Sequence, residues 1–290
     1  MDGRFLLFSL ALSFLCSACT EPVALSATEQ TPTPLAESHD AAATGTIQGR
    51  VTWTGDVPVS QEHVVRALPF NPHIHKNPAR YTTPHVPMVN VQNKGIANAV
   101  VYLRGVEPAK SREWDHLPVR VEFQDRRLLV RQGDVTSSVG FVRKGCAIEI
   151  VNRDSEFHNL HARGAAFFAA PLVESNRIEK RILSKSGVVE LSCGAGYYWL
   201  HAHLFVCDHP YCARTDADGN FMLKNVPAGS YEAVCWLPSW HARKEVDPET
   251  GITARQAWEP PSELTRSVAV HAGSKIEMNV IWSNEQFLLK

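Results

Sequence analysis

The stretch Asn152–Val206 opens NRDSEFHNLHARGAAFF and closes VVELSCGAGYYWLHAHLFV. An apolar run just before it, Cys146–Val151 (CAIEIV), points Cys146, Ile148 and Ile150 one way and ends in the turn Asn152-Arg153-Asp154-Ser155. His158 and His161 follow that turn. Gly187–Cys193 alternates as a strand, with Val189, Leu191 and Cys193 on one face. Trp199–Val206 alternates again, with Trp199, His201, His203 and Phe205 on one face and Leu200, Ala202, Leu204 and Val206 on the other. Imidazoles and a thiol gathered at strand ends make this block a candidate metal site.

Outward from it, the pattern stays β. Ile47–Trp53 (IQGRVTW), Ala97–Leu103 (ANAVVYL) and Val119–Phe123 (VRVEF) read as strands. Arg127–Arg131 and Gly140–Arg143 are shorter candidates around turns at Gly133-Asp134 and Gly145. Asp216–Gly219 turns the chain into Phe221–Leu223, and Pro227-Ala228-Gly229 turns it into Tyr231–Trp236. Ser267–Val270 and Lys275–Trp282 read as closing strands, with Ile276, Met278, Val280 and Trp282 on one face. Asp56–Asn93 is irregular, with six prolines, and is long enough to be a functional flap or a partly ordered arm. Helical periodicity is almost absent, and short strands between turn signals imply an all-β sandwich architecture.

The 290 residues carry a formal net charge of −1, which offers no long-range attraction to nucleic acid or to anionic lipid. Arg4 and the apolar run Phe5–Leu15 have the form of an export signal, too short to span a bilayer. It ends Cys16-Ser17-Ala18-Cys19, which resembles a bacterial lipoprotein cleavage box with Cys19 as the lipidated residue. The alternative is ordinary secretion with cleavage after Ala18 or a little later. Residues 20–45, rich in Thr, Ala, Pro and Glu, read as a disordered tether. No later segment is apolar enough to cross a membrane, so membrane contact is expected only through the N-terminal lipid.

Of seven cysteines, Cys16 and Cys19 belong to the export segment, which leaves Cys146, Cys193, Cys207, Cys212 and Cys235. An odd number in an oxidising compartment leaves at least one free, ligating or paired between chains. Cys207 and Cys212 are the disulfide candidate, and Cys-x-His-x-x-Cys around His209 is the competing metal reading.

Two resemblances emerge from these residues. TDADGNF and NVPAGSYEAVCW, with GTIQGRVTWTG and ANAVVYL, resemble the carboxypeptidase-regulatory-like β-sandwich. That module is non-catalytic, and here it is split over 46–117 and 208–290. The intervening 118–207 resembles a cupredoxin of the methylamine-utilisation-like periplasmic kind. IVNRDSEFHN matches the strand end that carries the first copper histidine, which maps that role onto His158. Cys193 matches the copper cysteine, and Asp208-His209-Pro210-Tyr211 matches the family's link back to the other module as a structural corner. The chain departs from the family at Tyr197, near the expected second histidine, and at Leu200, near the expected methionine. The implied fold is a cupredoxin-like Greek-key sandwich inserted into, or packed on, the second sandwich.

A blue-copper centre takes two imidazoles and a thiolate in a plane, with an optional axial thioether. Leu200 in place of methionine leaves a three-ligand site, whereas loss of the second histidine is the graver departure. The expected copper set is therefore His158 and Cys193, completed by His161, His201 or His203; His201 and His203 can also bind as a pair from one strand face. His73, His75 and His85 lie in a Pro-rich loop, where metal capture is one reading and solvated loop histidines the commoner one. Asp216-Ala217-Asp218-Gly219 imitates the start of a calcium loop but lacks the later bidentate Glu, and reads as a hairpin turn. No hydrolase or phosphate-loop signature is present. Cys235–Trp240 (CWLPSW) with Trp258 is either an aromatic carbohydrate platform or packing. The expectation is an exported, non-enzymatic copper-binding or electron-transfer protein with a redox partner in the periplasm. The rival is a metal-free adhesion, scaffold or carbohydrate-binding sandwich.

Overall fold

The computed structural model of the chain describes residues 39–65, 78–246, 248–249 and 253–288. Cys19 with the rest of the 1–19 segment, most of the 20–45 tether, His73 and His75 lie outside them.

Strands form nearly all of the regular structure. In the first third they are β1 (Thr44–Trp53), β2 (Glu62–Val65), β3 (Ala79–Thr82), β4 (Met88–Val89), β5 (Ile96–Ala97) and β6 (Val100–Arg104). The middle third carries β7 (Val119–Gln124), β8 (Arg127–Gln132), β9 (Val135–Ser137), β10 (Val139–Arg143), β11 (Ala147–Asn152), β12 (His158–Gly164), β13 (Phe168–Leu172), β14 (Ile178–Ile182), β15 (Gly187–Cys193) and β16 (His201–Cys207). The last third carries β17 (Cys212–Arg214), β18 (Asn220–Pro227), β19 (Gly229–Leu237), β20 (Ala242–Val246), β21 (Thr253–Trp258), β22 (Ser262–Val270), β23 (Lys275–Glu277) and β24 (Val280–Trp282).

The middle strands make one sandwich. Its sheets are β14-β11-β7-β8-β9 and β10-β16-β15-β12-β13, with the chain crossing between them in Greek-key fashion. Val121, Phe123, Val130, Ile148 and Ile150 from the first sheet meet Leu160, Leu191, Ala202 and Leu204 from the second. Those residues sit at alternate strand positions, so one face of each sheet is apolar and is buried against the other. The flanking segments make the second sandwich, from β18-β1-β23 (with β24 also on β1) and β17-β6-β19-β22. Ile47, Val51, Leu103, Phe221, Leu223, Cys235 and Trp282 fill its core.

A third, smaller apolar cluster joins the two. Phe141 on β10 and Phe205 on β16 pack with Val100 on β6 and Trp236 on β19. Every residue from His201 to Val206 is therefore buried, because the inner face of β16 lies in one core and its outer face in this seam. That seam is where the site described below is built.

Several local expectations change. Segment 56–93 carries the β2–β3 pair and β4, which pairs with β5 just beyond it, rather than being wholly irregular. Cys146 is exposed instead of sharing the core face of Ile148 and Ile150, because β11 begins one residue later, after the turn at Gly145. Lys275–Trp282 is broken at Met278-Asn279, and the Asn279 side chain accepts the Arg50 amide at 3.0 Å where a continuous ladder would have supplied a carbonyl. The third strand of the opening stretch starts at His201, since Trp199 turns inward to stack on Tyr81 at 4.7 Å between ring centroids.

Candidate metal centre

Alternation along β16 sends Ala202, Leu204 and Val206 into the first sandwich's core and His201, His203 and Phe205 into the seam. His201 and His203 thus stand side by side on one face, ring centroids 4.8 Å apart. Trp236 closes the far side of His203 at 4.8 Å. The third imidazole comes from another element. His85 lies between β3 and β4 with φ +64, a left-handed conformation that histidine adopts more readily than bulky apolar residues. Its Nε2 lies 2.7 Å from His201 Nδ1.

One ring nitrogen from each of His85, His201 and His203 falls within 4.8 Å of the others. It is the one group of three or more potential ligands among the described residues. A tetrahedral ion with bonds of about 2.0–2.1 Å needs ligand nitrogens about 3.3 Å apart. The cluster closes on that spacing with side-chain adjustments of roughly an ångström.

The protonation pattern suits a metal. His201 Nε2 donates to the Glu190 carboxylate at 2.8 Å, which leaves Nδ1 as the acceptor facing His85 Nε2 at 2.7 Å, and an ion would take the place of the proton between those two nitrogens. His85 Nδ1 and His203 Nδ1 are buried with no hydrogen-bond partner. Burial, with repulsion from His201 second, holds His85 well below the usual histidine range. Burial lowers His203 in the same way, helped by His201 and then His85. Both rings are therefore neutral at ordinary pH, as a ligand must be. The hydrogen bond from His201 keeps Glu190 below the usual carboxylate range against the opposing effect of burial, so the carboxylate stays charged.

The residues expected as one copper set fall into two places. His158 and Cys193 lie on the core side of the β12–β15 pair, with His158 Nδ1 3.7 Å from Cys193 Sγ. His158 is fully buried, stacks on Phe123 at 4.4 Å, and is held by Nε2 against Asp154 at 2.9 Å. Burial pushes the Cys193 thiol up, and Tyr197 and Leu200 pack around the pair without adding an imidazole or thioether. His161 occupies the opposite face of β12, across from Ser192, which is itself across from His201. Two strand spacings, about 10 Å, separate His161 from His201. The His161 ring lies over Gly194, where a Cβ would come within 2.3 Å of it, and its Nε2 bonds Asn159 at 3.0 Å.

In the sequence His85 is legible as a loop histidine but not as a partner of His201 and His203, because it is 116 residues from His201 and sits in a segment with no periodicity. Cys207 and Cys212 carry free thiols here. Cys212 is buried, its Sγ is 3.4 Å from His116 Nε2, and burial followed by the neighbouring Cys207 thiol pushes it well above the usual thiol range.

No family model matches the chain, and no curated protein matches it. Solved structures do. The neighbours include cupredoxins. A purple cupredoxin from Nitrosopumilus maritimus is 14% identical with a TM-score of 0.24, over 30% of this chain and 98% of its own. A copper(I) form of an amicyanin variant is 12% identical with a TM-score of 0.26, over 37% of this chain and 98% of its own. A copper-containing nitrite reductase from Thermus scotoductus SA-01 is 17% identical with a TM-score of 0.26, over 33% of this chain and 24% of its own. The chain thus spans about a quarter of that reductase's length. Likeness this weak carries no argument about the site, which rests on this chain's own residues.

Proposed function

We propose that the protein is an exported, lipid-anchored copper-binding β-sandwich protein whose ion is held by His85, His201 and His203. The observation that carries the reading is the convergence of two buried imidazoles, His201 and His203, with the half-buried His85, the His201 ring being held by Glu190. Imidazole suits copper, zinc, iron and nickel, and the order of divalent affinities peaks at copper. The split second sandwich, read as a carboxypeptidase-regulatory-like module, supplies Trp236 and the wall of the seam. Elemental analysis of copper-treated, dialysed protein tests the reading: one copper per chain is expected, falling to none when His201 and His203 are both replaced by alanine. A wild-type protein that retains no metal would leave the adhesion or scaffold reading in its place.

The 3.7 Å approach of His158 Nδ1 to Cys193 Sγ favours a second reading, electron transfer by a thiolate-ligated copper. The two differ in colour. A thiolate on copper(II) absorbs strongly in the visible, whereas an all-imidazole site is only faintly coloured.

A further inference from the structure

This inference rests on the metal-binding reading above and concerns what completes the ion's coordination. Three neutral imidazoles leave a divalent charge almost uncompensated in a buried place, which is costly unless an anion answers it. Glu190 answers one unit through His201. A tetrahedral ion also needs a fourth ligand, and no carboxylate or thiol among the described residues joins the three rings.

The surroundings fix the direction from which that ligand comes. Trp236 packs on His203, and the Trp258 ring stands 6.2 Å from His85 and 6.3 Å from His201. On the remaining side, His85 and His201 line a cavity of about 800 Å3. Arg80, Arg126 and Arg127 are among the residues that line it, with Glu62 and Asp125. Arg80 is paired with Glu62 at 3.3 Å and Arg126 with Glu156, while Arg127 is exposed at the start of β8. Ser137 and Ser138 add short polar side chains to the wall. The space is open to water, has three arginines against two acidic residues in its lining, and includes two of the three candidate ligands, His85 and His201.

We propose that the His85–His201–His203 centre is open on its cavity side and takes a small monovalent anion as its fourth ligand. Such a centre differs from an electron-transfer site, which is closed to outside ligands. The anion enters past Arg127 and meets the ion between His85 and His201.

The test titrates copper(II)-loaded full-length protein with sodium azide at fixed ionic strength, followed by visible absorption and EPR. A new charge-transfer band saturating at one azide per copper is expected, with altered EPR parameters. In Arg127→Gln the azide half-saturation rises several-fold while copper content stays at one per chain. A spectrum unmoved by excess azide in protein carrying one copper overturns the inference and leaves the binding reading intact. Equal half-saturation in Arg127→Gln overturns it as well. Protein that takes up no copper defeats the binding reading, and this inference falls with it.

Discussion

Glu190 Oε1 lies 2.8 Å from His201 Nε2, on the side of the ring away from His85. This single contact turns His201 Nδ1 toward His85 as the nitrogen that would ligate. Carboxylates placed in this way orient the imidazole and raise its basicity, and their removal weakens metal binding about 10–100-fold. Glu190→Gln keeps a side chain of the same shape but surrenders the charge. We expect copper stoichiometry to remain at one and affinity to fall by about that factor, read by competition against a chelator of known strength. The side chain is half-exposed, so fold stability changes little.

Cys193 separates the two copper readings. It is buried in the first sandwich's core, on the other face of the sheet from His201 and His203. Cys193→Ala is expected to keep one copper per chain and the same EPR spectrum, at a loss of about 1 kcal/mol in denaturant unfolding. Loss of copper in this variant, with the fold intact by circular dichroism, would move the site to His158 and Cys193.

The same residues show how far the chain could be read before its structure. Alternation is a local signal, so β7, β15 and β16 are legible, as is the shared face of His201 and His203. The approach of His158 to Cys193 is legible only by resemblance, since 35 residues separate them. β12 to β14 are hidden because Ala, Gly and Arg dilute their alternation, and pairing with neighbours decides them instead. His85 is the deeper omission. Its role depends on a loop conformation at φ +64 and on the seam between sandwiches, neither of which has a sequence period. His161 shows the converse: it lies in the right block, yet one residue's parity puts it on the opposite face from His158.

An ion pair on the first sandwich gives a pH-dependent prediction. Arg120 donates from Nε at 2.9 Å and Nη2 at 2.7 Å to Glu149 Oε2. That hydrogen bonding, against a smaller effect of burial, holds Glu149 below the usual carboxylate range. A carboxylate whose value is depressed by folding stabilises the fold above its unfolded value, about 4.3, and loses that contribution as pH falls through the folded value. The pair is partly solvated, so its worth is about 0.5–1 kcal/mol. Urea unfolding of Glu149→Gln at pH 7 should show a deficit of that size, closing in acid below the folded value. A deficit that stayed constant down to acid pH would assign the effect to packing rather than charge.

Gly219 bears on both the second sandwich and the aspartates before it. Its φ is +83, and a Cβ there would come within 2.2 Å of the Val51 carbonyl oxygen. The glycine's own carbonyl accepts the Val51 amide at 2.8 Å, so the turn is pinned against β1 and cannot retreat. Gly219→Ala combines a disfavoured backbone conformation with a collision against main chain, and is expected to destabilise by about 2–4 kcal/mol in denaturant unfolding. The aspartate oxygens of the same turn are already engaged. Asp216 Oδ1 accepts the amides of Asp218 and Asn220 at 2.9 and 2.8 Å, and Asp218 Oδ1 accepts the Asn90 and Asn93 side-chain amides at 2.9 and 2.7 Å. Calcium would have to displace those donors without a bidentate carboxylate to compensate. Millimolar calcium should therefore leave the wild-type Tm unchanged and give Gly219→Ala no rescue; a calcium-dependent rise in either would mean that the turn binds the ion after all.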